Sequence, residues 1–249
     1  MKKHQEVAQL FKEKGNIVAF TGAGISVDAG IPAFRGGQGL WEKYDPMEYA
    51  HIQSFLRYPD KVWTMLREMG DVILGAQPSP AHRALAALEK AGLLNAVITQ
   101  NVDGLHQAAG NRNVIEYHGN HRRLICPGCS TTSPFTEESN KVIPYPRCDR
   151  CEEVLKPDVV FFGEEIPRTA MIRANHEANN CKVMLIIGTS GVVYPAADIP
   201  FMASSNGAKV VEINVSPTPF TSAITHHFIE GSASDILPGI LEELGLESA

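Results

Sequence analysis

Nowhere in the 249 residues do the ~20 consecutive apolar side chains needed to span a bilayer occur, so no membrane-crossing helix is expected. The opening MKKHQEV turns amphipathic at Val7, Leu10 and Phe11 and lacks the apolar core of a secretory leader. Cysteine is scarce: five residues, four of them in two tight pairs, do not make a disulfide framework, and a reducing, cytoplasmic setting is the expectation. Positive charge is in deficit, with 22 Lys and Arg against 28 Asp and Glu, a net of −6. That excludes long-range attraction to phosphate polymers and is compatible with a basic, lysine-rich peptide as partner. Internal repeats and low-complexity tracts are absent as well. What remains is 44% hydrophobic and 20% charged, enough to bury a full core in one large domain with room for an inserted module.

An N-terminal helix should stop near Gly15, and residues 17–20 then form a short apolar strand running into Thr21, Gly22, Ala23, Gly24, Ile25 and Ser26, which predicts strand, glycine turn, helix. Residues 34–60 mix Gly36, Gly37 and Gly39 with aromatics, Pro46 and Pro59, and predict a long loop with short helical pieces. A helix is expected over residues 62–74, and another after Pro80, where Ala84, Leu85 and Leu88 share one face. Four further apolar runs end in small or polar residues: Val97 and Ile98 before Gln100, Asn101 and Asp103; Val114 and Ile115 before His118; residues 183–187 before Gly188, Thr189 and Ser190; residues 210–213 before Asn214. In open parallel sheets ligands sit outside the carboxyl ends of the strands, so these endings should converge on one crevice.

Cys126 and Cys129 are two residues apart, as are Cys148 and Cys151, with 18 residues between the pairs. This spacing matches a four-cysteine zinc site, and four protein ligands leave no open position for water, which favours a structural over a catalytic ion. Two redox pairs or a disulfide staple are the competing readings. A zinc ribbon can also grip nucleic acid, but residues 121–156 hold six basic and five acidic side chains, and four thiolates with one zinc bring the sum to −1. Direct nucleic-acid binding is therefore not expected. Cys181, before an apolar strand, reads as a buried structural thiol.

Gly22, Ala23 and Gly24 after a strand suit close approach of backbone to a pyrophosphate. Val27, however, stands where the dehydrogenase fingerprint needs its third glycine, and no second strand with a ribose-binding acid follows, which disfavours a hydride-transferring dehydrogenase. GAGIS, GIPAFRG, TQNVDGLH, the HG step at His118, the two cysteine pairs, KPDVVFFGE, GTS, VVYPAA and IN occur in an order that resembles the sirtuin (Sir2) family, in its short bacterial and archaeal form, over nearly the whole chain. One departure is Gly191, where the family commonly has leucine.

The resemblance implies an α/β fold: a Rossmann-like parallel sheet domain with an inserted small zinc-binding module and a helical cofactor-binding loop region. Within one catalytic domain, 1–120 and 157–249 would form the NAD-binding part, 121–156 the zinc module, and 34–80 the cofactor loop and helical segment. The implied activity is NAD-dependent protein-lysine deacetylation, in which NAD is consumed, the acyl group passes from acyl-lysine to ADP-ribose, and nicotinamide, O-acyl-ADP-ribose and free lysine are released. His118 would be the base acting on the ribose hydroxyls, a role suited to imidazole. The cofactor contacts carried over are Gly22, Ala23, Gly24 and Val27; Phe34 as a water shield and Arg35 near the phosphates; Gln100, Asn101, Val102 and Asp103, the last on the nicotinamide amide; His118; and Gly188, Thr189, Ser190, Asn214, Val215 and Ala233 on the adenosine side. Val160, Phe162, Gly163, Val192 and Val193 fall in two segments that would sandwich an acetyl-lysine peptide as an added strand. His82 and His106 read as packing or capping histidines. Relatives that prefer succinyl-lysine carry a tyrosine and an arginine where this chain has Leu66 and Met69, so uncharged acyl groups should be favoured unless Arg67 takes part. A silent NAD or ADP-ribose sensor and mono-ADP-ribosyl transfer are the alternative readings.

Overall fold

Alternation fails in the first strand: IVAFT is buried at every position, and a strand covered on both faces belongs in the middle of a parallel sheet. The computed structural model, which describes residues 3–33 and 40–247, places it there. In chain order the large sheet takes β1 (Ile17–Thr21), β2 (Leu94–Thr99) and β3 (Val114–Glu116). A small sheet follows with β4 (Gly119–Ile125), β5 (Thr132–Pro134) and β6 (Lys156–Val159), and the large sheet resumes with β7 (Val183–Ile187), β8 (Lys209–Asn214) and β9 (His227–Glu230). The large sheet is parallel throughout, in the order β3-β2-β1-β7-β8-β9. This is the doubly wound order 3-2-1-4-5-6 with the small sheet set into the crossover.

Alternate residues of the central strands feed two cores. Ile17, Ala19, Val97 and Leu185 pack under the helices Lys3–Lys14, Pro80–Lys90 and Ala233–Leu244 through Phe11, Leu85 and Ile240. Val18, Phe20, Ile98 and Met184 pack on the other face against the helices Arg168–Asn180 and Asp198–Ser205 through Ala174, Ala178 and Ile199. A third core joins the helix Pro59–Gly75 to the small sheet, with Trp63, Leu66, Leu124, Phe135 and Phe161 at its centre. Each fully buried side chain of Leu or Phe size contributes about 1.5–3 kcal/mol, so this third core ties the small sheet to the helix Pro59–Gly75.

The small sheet is antiparallel, in the order β5-β4-β6, and brackets residues 121–156. Its proline-rich sequence gives no alternating pattern, and β9, HFIE, is a short half-buried edge strand, which is why neither was visible beforehand. After β1 the expected helix forms as a 3₁₀ helix, Ala23–Ala29. The two glycines of this turn answer to packing: a Cβ on Gly24 would stand 2.7 Å from the Gly188 Cα, and one on Gly22 would stand 2.8 Å from the Gly188 carbonyl oxygen. The turns after β1 and β7 thus press backbone to backbone. Phe34 and Arg35 lie outside the described residues. No described helix is long and apolar enough to cross a membrane.

Candidate active site

The strand order reverses between β1 and β7, and the crevice opens at their carboxyl ends, as sheets of this winding require. Hydrogen bonds weave the turns there into one surface. Gln100 Nε2 donates to Thr189 Oγ1 at 2.9 Å, Asn214 Nδ2 to the Thr189 carbonyl at 2.8 Å, and Asn101 Nδ2 to the Gly22 carbonyl at 3.0 Å. They wall a cavity of about 1150 Å³, larger than the several hundred Å³ of an ordinary small-molecule pocket. Of the site residues expected from sequence, the structure brings onto its lining Gly22, Ala23, Gly24, Val27, Gln100, Asn101, Val102, His118, Gly188, Thr189, Ser190, Asn214, Val215 and Ala233. Val160, Phe162, Gly163 and Val193 join them. A concave run of backbone turns between two strand ends, large enough for a dinucleotide and an extended chain, suits NAD and a peptide side by side.

Among the described residues, two of the expected cofactor and peptide contacts stand off the lining. Val192 is 47% exposed beside the cavity. Asp103 lies behind the wall, buried, its Oδ2 accepting from Ser26 Oγ at 2.8 Å and its Oδ1 from Leu105 N at 2.9 Å. Burial pushes its carboxyl up, against the pull of these donors. Ser26 also accepts from Asn101 Nδ2 at 3.1 Å, so a chain Asp103–Ser26–Asn101 links the buried acid to the cavity wall. Sequence reasoning gave Ser26 no role and did not single out Met65, Ile166, Arg168 or Met171, which also line the cavity. The last three follow β6 at the entry to the helix Arg168–Asn180, where no motif marks them.

His118 sits on the lining with its Nδ1 3.2 Å from the Gln100 carbonyl oxygen. A carbonyl only accepts, so Nδ1 carries the proton and Nε2 is the basic nitrogen. Burial lowers its pKa below the ordinary 6.5, and the bond to Gln100 opposes this in part. A base must be neutral to act, and a lowered pKa keeps it neutral into mild acid. The acid limb of kcat/KM should therefore fall at a pH below 6.5. A pH–rate profile with its acid limb at or above the free-imidazole value contradicts that assignment.

Two further buried histidines, His82 and His106, hold local structure. His82 Nδ1 caps the helix Pro80–Lys90 with Ser79, as its place in PSPAH suggests. His106 Nε2 meets Thr21 Oγ1 at 3.0 Å. Burial holds the pKa of both low, that of His82 at about 4. Cys181 is buried, donates to the Ala178 carbonyl, and has its thiol pushed up to about 11 by burial.

The four paired cysteines converge: their Sγ atoms all lie within 4.8 Å of one another, with Cys126 to Cys151 at 3.4 Å and Cys129 to Cys148 at 3.6 Å. Tetrahedral zinc with Zn–S bonds of about 2.3 Å needs sulfurs about 3.8 Å apart, and the set fits. Each pair sits on the same knuckle. Ser130 N donates to the Cys126 carbonyl and Glu152 N to the Cys148 carbonyl, both at 2.9 Å, and Ser130 and Glu152 share a left-handed backbone at φ 58° and 62°. None of the four lines the cavity, and four thiolates close the coordination sphere, so the chemistry of this donor set is structural.

Sheet order, crevice and four-thiolate module together define a nucleotide-cleft enzyme with a structural zinc. The Sir2 family model matches residues 22–195. An NAD-dependent protein deacylase of Pyrococcus furiosus is 46% identical over 244 residues, covering 96% of this chain and 97% of the relative. NAD-dependent protein deacylase 2 of Pyrobaculum aerophilum is 47% identical, covering 96% and 94%. Among solved structures, a Sir2 homologue in complex with NAD superposes with a TM-score of 0.90 at 40% identity, covering 96% and 93% of the two chains. Sir2 bound to a p53 peptide and NAD+ superposes at 0.89 and 36% identity, covering 96% and 98%. The chain belongs to the Sir2 family.

Proposed function

We infer that the chain is an NAD-dependent protein-lysine deacylase that transfers the acyl group of acyl-lysine to ADP-ribose, releasing nicotinamide, O-acyl-ADP-ribose and free lysine. The observation that carries the reading is one cavity at the β1/β7 switch point whose lining includes His118, the carboxamides of Gln100 and Asn101, and the segment Val160, Phe162 and Gly163. NAD supplies the anomeric carbon that the acyl oxygen attacks. The turns at Gly22–Gly24 and Gly188–Ser190 cradle its phosphates and adenosine, with Asn214, Val215 and Ala233 on the adenosine side. Asn101, held by Ser26 and Asp103, orients the nicotinamide and ribose side, Asp103 acting from behind the wall. His118 Nε2 takes the proton of a ribose hydroxyl. Phe34 and Arg35 complete the cofactor loop as water shield and phosphate partner. We divide the chain into an NAD-binding part, 1–120 and 157–249, a zinc module, 121–156, and a cofactor segment, 34–80; the position of the four cysteines between the outer ends of β4 and β6 supports the module.

The substrate chain enters as an added strand between residues 160–163 and 192–193. Phe162 and Val192 are 42% and 47% exposed, which supports side chains facing the groove over a buried core strand. Its partners are acyl-lysine proteins, with neither membrane nor nucleic acid among them, in keeping with the net charge of −6. Four cysteines reserved for a metal instead of disulfides suit a reducing, cytoplasmic compartment. Nicotinamide release that requires an acylated peptide, and does not occur with the unmodified one, tests the reading.

Acyl preference follows from the helix Pro59–Gly75. Met65, Leu66 and Met69 line the cavity, while Arg67 turns outward and donates to the Pro144 carbonyl of the zinc module. A succinyl carboxylate against this wall would be buried without a partner, at a cost of several kcal/mol. On one peptide, kcat/KM for succinyl-lysine should be at least roughly a hundredfold below that for acetyl-lysine, with butyryl much closer to acetyl. Equal rates for succinyl and acetyl would overturn this assignment of the pocket.

A further inference from the structure

Lys156, at the start of β6, is 6% exposed, which is unusual for an ammonium. Its Nζ donates to the Val159 carbonyl at 2.6 Å, to Glu164 Oε2 at 3.0 Å and to the Pro157 carbonyl at 3.4 Å, and stands 4.6 Å from the centre of the Phe161 ring. Glu164 Oε2 accepts in turn from Phe161 N at 2.8 Å. These contacts all fall within residues 156–164, so the ammonium staples one stretch of chain to itself.

A buried ion pair loses solvation that its mutual attraction recovers only in part, so its net effect on stability is small beside an apolar side chain of the same size; what it enforces is one geometry. Here that geometry is the edge facing the cavity. Phe161 is turned inward against Phe55, with ring centres 5.7 Å apart, and Phe162 is turned outward. Phe162 N donates to the Ala50 carbonyl, Ile52 N to the Phe162 carbonyl, and Val160 N to the carbonyl of His118, each within 3.0 Å. Val160, Phe162, Gly163 and Glu164 all line the cavity. The staple therefore fixes the alternation that presents one residue in and the next out.

We propose that Lys156 is a positioning residue for the acyl-lysine substrate: paired with Glu164 and seated on the Phe161 ring, it holds residues 160–162 and the turn that follows, where Glu164 N donates to the Phe161 carbonyl and Gly163 takes φ +85°, in the one form along which the substrate chain lies. The proposal rests on the reading of that segment as the peptide edge. It places the effect on the peptide and not on NAD, whose turns at Gly22–Gly24 and Gly188–Ser190 the staple does not touch.

Lys156→Met keeps the length of the side chain and removes the charge. Its KM for an acetyl-lysine peptide should rise about tenfold to a hundredfold, with kcat at saturating peptide within about threefold of the parent and NAD affinity without peptide unchanged. Lys156→Arg, which restores a cation to Glu164, should recover part of the peptide KM. Should Lys156→Met fail to fold, Glu164→Ala opens the staple from its solvent side, where the carboxylate is 26% exposed, and should show the same split. A parent-like peptide KM in the variants, or peptide and NAD affinities lost in equal measure, overturns the proposal. A parent enzyme that turns over no acyl-lysine peptide overturns instead the functional reading on which it rests.

Discussion

Replacing His118 by alanine should lower deacylation turnover by about 10² to 10⁴ while the variant still folds and binds NAD. The size follows from what is lost. Nδ1 is committed to the Gln100 carbonyl, so the ring has one basic nitrogen, and burial keeps it unprotonated at neutral pH. Among the described residues no other imidazole lines the cavity, and His82 and His106 are buried in the helix-capping and strand-end contacts described above. The fold should tolerate the change, because the backbone of His118 keeps its bond from Val160 N and the NAD turns rest on Gly188, Thr189 and Asn214. Single-turnover kinetics with an acetyl-lysine peptide, beside NAD titration of the same variant, separates the two effects. Near-normal turnover would remove His118 from the base role.

Removing zinc should be as damaging, by a mechanical route. In small modules a four-thiolate zinc contributes on the order of 10 kcal/mol to coupled binding and folding, more than the small sheet can replace. That sheet also braces the acyl wall. Trp63 Nε1 donates to the Leu155 carbonyl at 3.0 Å, Asn140 Nδ2 donates to Asp71 Oδ1 at 2.7 Å, and Arg67 reaches the Pro144 carbonyl. These bonds tie the outer side of the helix Pro59–Gly75 to the module, while Met65, Leu66 and Met69 face the cavity from its other side. A strong chelator, or Cys148→Ser, should release one zinc per chain, unfold the module and abolish acyl-lysine turnover. Cobalt or cadmium in place of zinc should preserve activity, since only the tetrahedral cross-link is needed. Active protein found free of metal by elemental analysis contradicts the assignment.

The sequence made the central strands, the four-thiolate spacing and the converging strand ends legible because each rests on local chemistry: unbroken apolar runs, paired thiols, and polar residues directly after a strand. Other features depend on contacts between distant segments. The 3₁₀ helix after β1 accompanies a close approach of Gly22 and Gly24 to Gly188, more than 160 positions away, whereas their local pattern suggested only a phosphate turn opening a helix. Asp103 reads as a ligand-facing acid until Ser26, 77 residues away in the chain, is seen to claim its Oδ2. At Gly191, where the resemblance leads one to expect leucine, the structure shows a position that suits glycine. Its φ is +68°, and the Phe220 ring would lie 2.7 Å from a Cβ there, so in this chain Phe220 fills the space beside the strand end. The staple at Lys156 was hidden for the same reason, since a lysine in KPDVVFFGE looks solvated until its burial is known.

Acyl transfer to ADP-ribose is tested most directly by following the acyl group itself. The protein is incubated with NAD and a peptide whose acetyl-lysine carries an isotopic label in the acetyl carbons, and the products are identified by mass spectrometry. The label should appear in O-acetyl-ADP-ribose, in equal amount with nicotinamide and deacetylated peptide. Label in free acetate without O-acetyl-ADP-ribose, or ADP-ribose attached to protein while the acetyl-lysine stays intact, would contradict it.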